Sequence, residues 1–224
     1  MNVFDIIGPV MVGPSSSHTA GAVKIGYVSR KLMGESIVSA HLLLYGSFLA
    51  TGKGHGTHKA LVAGLLGMTP EDERIPDSLE LAGKSGIEIL FGQAELKDVH
   101  ANSVQLVLKG EYGRILEIVG ESIGGSRINI ARIDGLEANF SGDYPTLIVH
   151  NLDMPGHIAK VTSLLSEINV NIAAMKLYRQ GRGQNSVMIL ECDQEVPRDH
   201  VRRIEGMDGI EKVTYYSLED GDEL

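Results

Sequence analysis

Three short segments combine glycine, hydroxyl and histidine residues in patterns that could bind and act on a small polar molecule. The first, Gly13-Pro14-Ser15-Ser16-Ser17-His18-Thr19, stands directly before a helical pattern. Serine and threonine hydroxyls together with helix-start N–H groups suit a small anion such as a carboxylate. From composition alone the same run also reads as an overbuilt helix cap in a polar loop. The second comprises Tyr45-Gly46-Ser47 and then Gly52-Lys53-Gly54-His55-Gly56-Thr57-His58. Glycines on both sides of Lys53 and His55 let the backbone turn sharply and approach a ligand. The spacing G-x-x-x-x-G-K-[ST] of a phosphate-binding loop is missing. An imidazole titrates near neutrality, so either His55 or His58 can act as a general base. No carboxylate accompanies them in the loop, so no metal site is assigned. The third segment, Ser122-Ile123-Gly124-Gly125-Ser126, is another loop friendly to anions.

The composition limits what such segments can serve. The net charge of −9 over 224 residues opposes nucleic-acid binding, which needs clustered Lys and Arg. The single cysteine, Cys192, excludes an internal disulfide framework and any cluster or zinc site built from this chain's own thiolates. No apolar run approaches the roughly 20 residues of a membrane span. The opening residues carry no basic leader and are interrupted by Pro9 and Pro14. A soluble, cytoplasmic protein without membrane or nucleic-acid partners is expected.

The elements that must position these segments fall into two regions, 1–142 and 145–219, followed by an acidic tail over 220–224. In the first, Ala22, Ile25, Val28 and Leu32 have helical spacing over residues 19–32, with Ser17 or Thr19 as the cap. A strand is predicted over 37–45, a glycine-rich stretch over 46–56 and a helix over 59–66. Further strands are predicted over 86–91, 103–109, 115–119, 128–133 and 136–140, the last two flanking the turn dipeptide Asp134-Gly135. The fold class is α+β.

The second region predicts strand 146–152, a helix opened by Asp153 and Pro155, strands 171–178 and 186–192, helix 197–205 and strand 209–217. This β-α-β-β-α-β order is ferredoxin-like. With Asp153-Met154-Pro155-Gly156-His157-Ile158 and Ile168-Asn169-Val170-Asn171-Ile172 at its junctions, it resembles an ACT domain, a module that commonly senses amino acids. Asp153, Gly156, His157, Ile158 and Asn171 are its candidate ligand residues. Ligand sensing and self-association through the domain are both open.

Taken together, the first-region segments are specific. Phe4-Asp5-Ile6-Ile7-Gly8-Pro9, the Gly13–Thr19 run, Gly52-Lys53-Gly54-His55 and Ser122-Ile123-Gly124-Gly125 closely resemble the beta portion of iron-sulfur-dependent L-serine dehydratases. An ACT domain follows in the two-chain form of that family. Two departures stand out: His58 replaces a usual acidic residue, and Ser126 a usual glycine.

The resemblance implies conversion of L-serine to pyruvate and ammonia without pyridoxal phosphate. It implies a [4Fe-4S] cluster held by cysteines of an alpha chain, with no metal ligand in this chain. Ser15, Ser16, Ser17, Thr19, Ser47, Lys53, Gly54, Gly124 and Gly125 are then the substrate-binding candidates. His55 is the expected base for the α-proton, with His18 second and expected to position. The alternatives are a non-catalytic amino-acid-sensing regulatory subunit and a stand-alone metal enzyme using His18, His55 and His58.

Overall fold

Aliphatic alternation over Ile37–Tyr45 makes β1, which buries Ala40, Leu42 and Leu44. The computed structural model describes residues 10–179 and 181–218. The expectations for Phe4–Pro9 and for the tail lie outside the described residues. Beside β1 run β2 (Glu88–Gln93), parallel to it, and β3 (Asn102–Gly110), antiparallel. β4 (Ile115–Gly124) and β5 (Arg127–Ile133) continue the sheet antiparallel. A parallel pair needs a crossover connection, and here α2 (Gly46–Thr51), α3 (Thr57–Leu65) and α4 (Ser78–Lys84) supply it. Two of these depart from the sequence expectation. Half of the glycine-rich stretch is the helix α2, anchored by the buried Phe48, and α4 had no prediction. Helices of six and seven residues are too short to display a 3.6-residue period.

A π-helical turn, Ser16–Gly21, leads into α1 (Ala22–Met33). Helices α1 and α3 touch backbone to backbone. A methyl group on Gly26 would lie 2.2 Å from the Leu61 carbonyl oxygen, and one on Gly64 2.0 Å from that of Val23. Only glycine permits this approach, which sets the last turns of α3 against the first half of α1. Ile25, Leu32, Leu61, Leu106 and Ile118 are among the fully buried side chains beneath.

The chain divides into two units at the Gly135–Leu136 step, ahead of the seam near residues 142–145 that composition suggests. Asp134 and Gly135 there take φ of 50° and 77°, the mirror-image turn geometry that the dipeptide favours. Strand β6 (Leu136–Phe140) belongs with the second unit. Asn139 Nδ2 donates to the Tyr178 hydroxyl at 3.1 Å, and Ser141 Oγ to Glu191 at 2.8 Å.

The second unit continues with β7 (Thr146–Leu152), α5 (His157–Glu167), β8 (Ile172–Arg179), β9 (Asn185–Cys192), α6 (Arg198–Glu205) and β10 (Ile210–Tyr216). Its sheet order β10-β7-β9-β8, antiparallel throughout, is ferredoxin-like, and Leu147, Val149, Val161, Leu165, Leu190 and Ile204 form the core. One local expectation is corrected. Asp153 does not cap α5; its carboxylate meets Arg179 Nη1 at 3.2 Å, and Gly156, at φ 95°, takes the cap position without a side-chain bond. Among the described residues no helix is long and apolar enough to cross a membrane.

Candidate active site

The helix start at the first segment is tighter and better held than a plain cap. Ser15, not Ser17 or Thr19, is the N-cap, and its hydroxyl accepts from His18 N at 3.1 Å. The Ser15 carbonyl accepts from both Thr19 N (2.9 Å) and Ala20 N (3.3 Å). The latter is the wide π-type bond that recurs where helices carry functional side chains. The third segment buttresses this turn from β4. Ser122 Oγ, fully buried, donates to the Ser17 carbonyl at 2.9 Å, and Ser126 Oγ to that of Ser16 at 3.4 Å. Ser122 is therefore scaffold to the loop. Gly124 and Gly125, at φ 91° and 60°, form with Ser126 (φ 61°) the β4–β5 turn beside it.

The second segment brings His55 to His18, with ring centroids 5.0 Å apart. Ser47, Thr51 and His55 recur at four-residue spacing, so α2 and its continuation turn all three to one side. Thr51 Oγ1 donates to the Ser47 carbonyl at 3.0 Å and stands 3.1 Å from His18 Nε2. With its one proton engaged, it accepts from the ring, so His18 carries its proton on Nε2. Ser47 Oγ, at 3.2 Å, is the second hydroxyl at that nitrogen, and Ser17 Oγ donates to Nδ1 at 3.2 Å. Both nitrogens of His18 are thus occupied. Its pKa is lowered, chiefly by burial, against the opposing effect of the Ser47 backbone and with a further lowering from the neighbouring His55.

His55 differs. Its Nδ1 lies 3.1 Å from the Thr51 carbonyl, its backbone N–H meets the same oxygen at 3.3 Å, and Gly54 N adds a third bond at 3.1 Å. A carbonyl only accepts, so the proton sits on Nδ1 and the Nε2 lone pair is left to act on a substrate. Thr19 Oγ1 closes the cluster by donating to the His55 carbonyl at 3.3 Å.

The remaining candidates stand aside from this pair. His58, the second residue of α3, meets the Phe91 ring edge-on, 4.6 Å between centroids. Burial first, and then the Lys53 ammonium, lower its pKa. Lys53 is therefore neighbour to His58. Sequence reasoning missed Thr51 and Phe48, which packs edge-on against His18 at 5.3 Å. The four-residue spacing Ser47, Thr51, His55 was the available signal for Thr51.

The chain's residues do not fit an iron-sulfur cluster. Cys192 is the sole thiol, buried in the core of the second unit, and burial, with Asp193 and Glu195 nearby, pushes it up to about 11. The described residues hold no group of three or more His, Cys, Asp or Glu arranged for a metal ion.

The ACT candidates do not converge within one copy. His157 points inward, 7% exposed, with Nδ1 donating to the Leu152 carbonyl at 2.9 Å. Asp153 pairs with Arg179 beside Gly156 and the exposed Ile158, whereas Asn171 lies beyond the far end of α5 and donates to Asp193 at 2.6 Å. Eleven helical residues, about 16 Å, separate the two groups.

Comparison with known proteins accords with this geometry. The family model described as serine dehydratase beta chain matches residues 2–81. A probable L-serine dehydratase beta chain of Bacillus subtilis is 42% identical over 200 residues, covering 89% of this chain and 90% of that one. An L-serine dehydratase beta chain of Peptoniphilus asaccharolyticus is 36% identical over 218 residues, covering 97% of this chain and 98% of that one. Among solved structures, the ACT domain of a GTP pyrophosphokinase from Chlorobium tepidum is similar over 32% of this chain and 94% of that one, with 15% identity and a TM-score of 0.27. The histidine-bearing segments lie within the matched residues and the relatives match from end to end, so this chain belongs to the serine dehydratase beta chain family.

Proposed function

We propose that this chain is the beta subunit of an L-serine ammonia-lyase, and that His55 Nε2 removes the α-proton of L-serine. The observation that carries the reading is the bond from His55 Nδ1 to the Thr51 carbonyl, which fixes the tautomer with the basic nitrogen outward. General base catalysis needs a positioned imidazole whose second nitrogen is held. His18, with hydroxyls at both nitrogens, orients the pocket. The hydroxyls of Ser15, Ser16, Ser17, Thr19 and Ser47, with Lys53 and the backbone N–H groups of Gly124 and Gly125, are the groups assigned to the substrate carboxylate and amine, while Gly54, its N–H engaged by the Thr51 carbonyl, shapes the turn beside them.

Loss of water from serine needs the α-proton removed and the β-hydroxyl released. This chain's side chains serve the first requirement. The second is assigned to an alpha chain whose cysteines would hold a [4Fe-4S] cluster, since Cys192 is unsuited to that task. No pyridoxal phosphate is required. The aminoacrylate so formed tautomerises and hydrolyses to pyruvate and ammonia. The ferredoxin-like unit is read as a regulatory module that self-associates; Met175 and Leu177, exposed on the edge strand β8, support this.

The test is anaerobic co-expression with a cysteine-bearing alpha chain, followed by assay of pyruvate from L-serine. The complex should turn over, neither chain alone should, and H55N should lose about a hundredfold or more in kcat with cluster content unchanged. An H55N complex of undiminished kcat removes His55 as the base. Pyruvate from this chain alone contradicts the split site. No pyruvate from the complex favours the non-catalytic sensing subunit.

A further inference from the structure

One buried carboxylate in the first unit takes no part in the chemistry above. Glu121, on β4, is 8% exposed, and each of its oxygens accepts from a neutral N–H group: Oε1 from His100 N at 3.0 Å and Oε2 from Asn129 Nδ2 at 2.9 Å. A carboxylate withdrawn from water is retained at a cost unless its bonds do something for the surrounding structure.

What Glu121 holds is the loop before β3. His100 lies one residue ahead of Ala101, whose carbonyl accepts from Ser47 N at 2.7 Å. Asn102 bridges Gly46, and its side chain donates to the Ser122 carbonyl at 3.4 Å. The contact at Ala101 is close: a methyl group on Gly46, at φ 57°, would lie 2.3 Å from that carbonyl oxygen. Ser47 cannot shift unless the loop shifts with it. Ser47 Oγ in turn lies 3.2 Å from His18 Nε2.

We infer that Glu121 is a positioning residue for the active site, setting Ser47 Oγ against His18 through the His100–Ala101 loop. The inference rests on the lyase reading for its kinetic consequence but not for its structural one. Glu121 and the adjacent Ser122 divide the work. Ser122 holds the His18 turn by the Ser17 carbonyl, and Glu121 holds His100 N, one residue before the Ala101 carbonyl that meets the start of α2. One strand thereby aligns the two segments that meet at His18.

The experiment has two arms on the full chain. In the first, amide hydrogen exchange is read at Ser47. Its N–H should lose about tenfold or more of its protection in E121A and in E121D, whose carboxylate is one methylene short, while E121Q, which keeps an acceptor for His100 N, should recover most of it. Unchanged protection in E121A and E121D overturns the inference whether or not the chain is a lyase. In the second arm, the complex with the alpha chain is taken through a double-mutant cycle with S47A. E121A alone should cost about tenfold in kcat/KM, and nearly nothing further once the Ser47 hydroxyl is gone. A full tenfold loss in the S47A background marks Glu121 as merely structural. If E121A does not fold, E121D carries the cycle. An inactive wild-type complex refutes the lyase reading and leaves the exchange result to decide Glu121.

Discussion

Thr51 binds His55 twice through one carbonyl oxygen, to the ring Nδ1 at 3.1 Å and to the backbone N–H at 3.3 Å. Its hydroxyl meanwhile lies 3.1 Å from Nε2 of His18. One residue at the end of a six-residue helix therefore sets the tautomers of both imidazoles, and sets them differently. The ring of His55 is left with an outward lone pair, whereas that of His18 is engaged on both sides. The roles proposed for them, base for His55 and positioner for His18, rest on that asymmetry.

Removing the Thr51 hydroxyl separates these two functions. T51V keeps the carbonyl, so His55 keeps its tautomer, but His18 loses one of its two hydroxyl partners at Nε2. A neutral hydrogen bond contributes about 1 kcal/mol, so kcat/KM for serine in the complex should fall about fivefold, far less than in H55N. Steady-state kinetics of both variants check this, and a T51V loss equal to that of H55N would show that the carbonyl is not what holds the base.

Stability should decline on the acid side through the histidines. Burial lowers both His18 and His58 below the ordinary value of 6.5, so as pH falls the unfolded chain binds protons first. The stability tied to neutral rings is whole above pH 6.5 and is lost as pH drops through the lower folded values. Urea midpoints from about pH 8 to about pH 5 should decline less steeply in H58Q than in the wild type. Parallel curves would remove His58 from this account.

Ser126 sits at φ 61°, in the left-handed region where a β-carbon is strained and glycine is not. Set against that strain is one weak bond, 3.4 Å from its hydroxyl to the Ser16 carbonyl. S126G should raise unfolding free energy by about 0.5–1 kcal/mol, read from denaturant titration. A destabilised S126G would mean that the bond to Ser16 outweighs the backbone strain.

Burial pushes the Cys192 thiol up to about 11, so the native chain should resist iodoacetamide at mildly alkaline pH and react only on unfolding. C192A should leave serine turnover and cluster content of the complex unchanged. Rapid alkylation of the folded chain, read by mass spectrometry, would contradict the burial.

Much of this protein was legible in the amino-acid order. Strands Leu136–Phe140 and Thr146–Leu152 fall where they are predicted, the first beside its turn dipeptide and the second as the short aliphatic run of a strand buried along most of its length. The ferredoxin-like order of the second unit follows from the same periodicities. The histidine and hydroxyl segments marked the candidate site, since glycine beside His55 and serine beside His18 are local facts. Tertiary structure alone decided the rest. That Ser122 braces the Ser17 carbonyl, that Glu121 holds His100 beside the Ala101 carbonyl met by Ser47, and that His157 turns inward to the Leu152 carbonyl are contacts between residues apart in sequence or in facing direction. The proposal of His55 over His18 as the base rests on such contacts too. A residue's type states that it can titrate, but which nitrogen keeps the lone pair depends on the partner that packing brings to the other one.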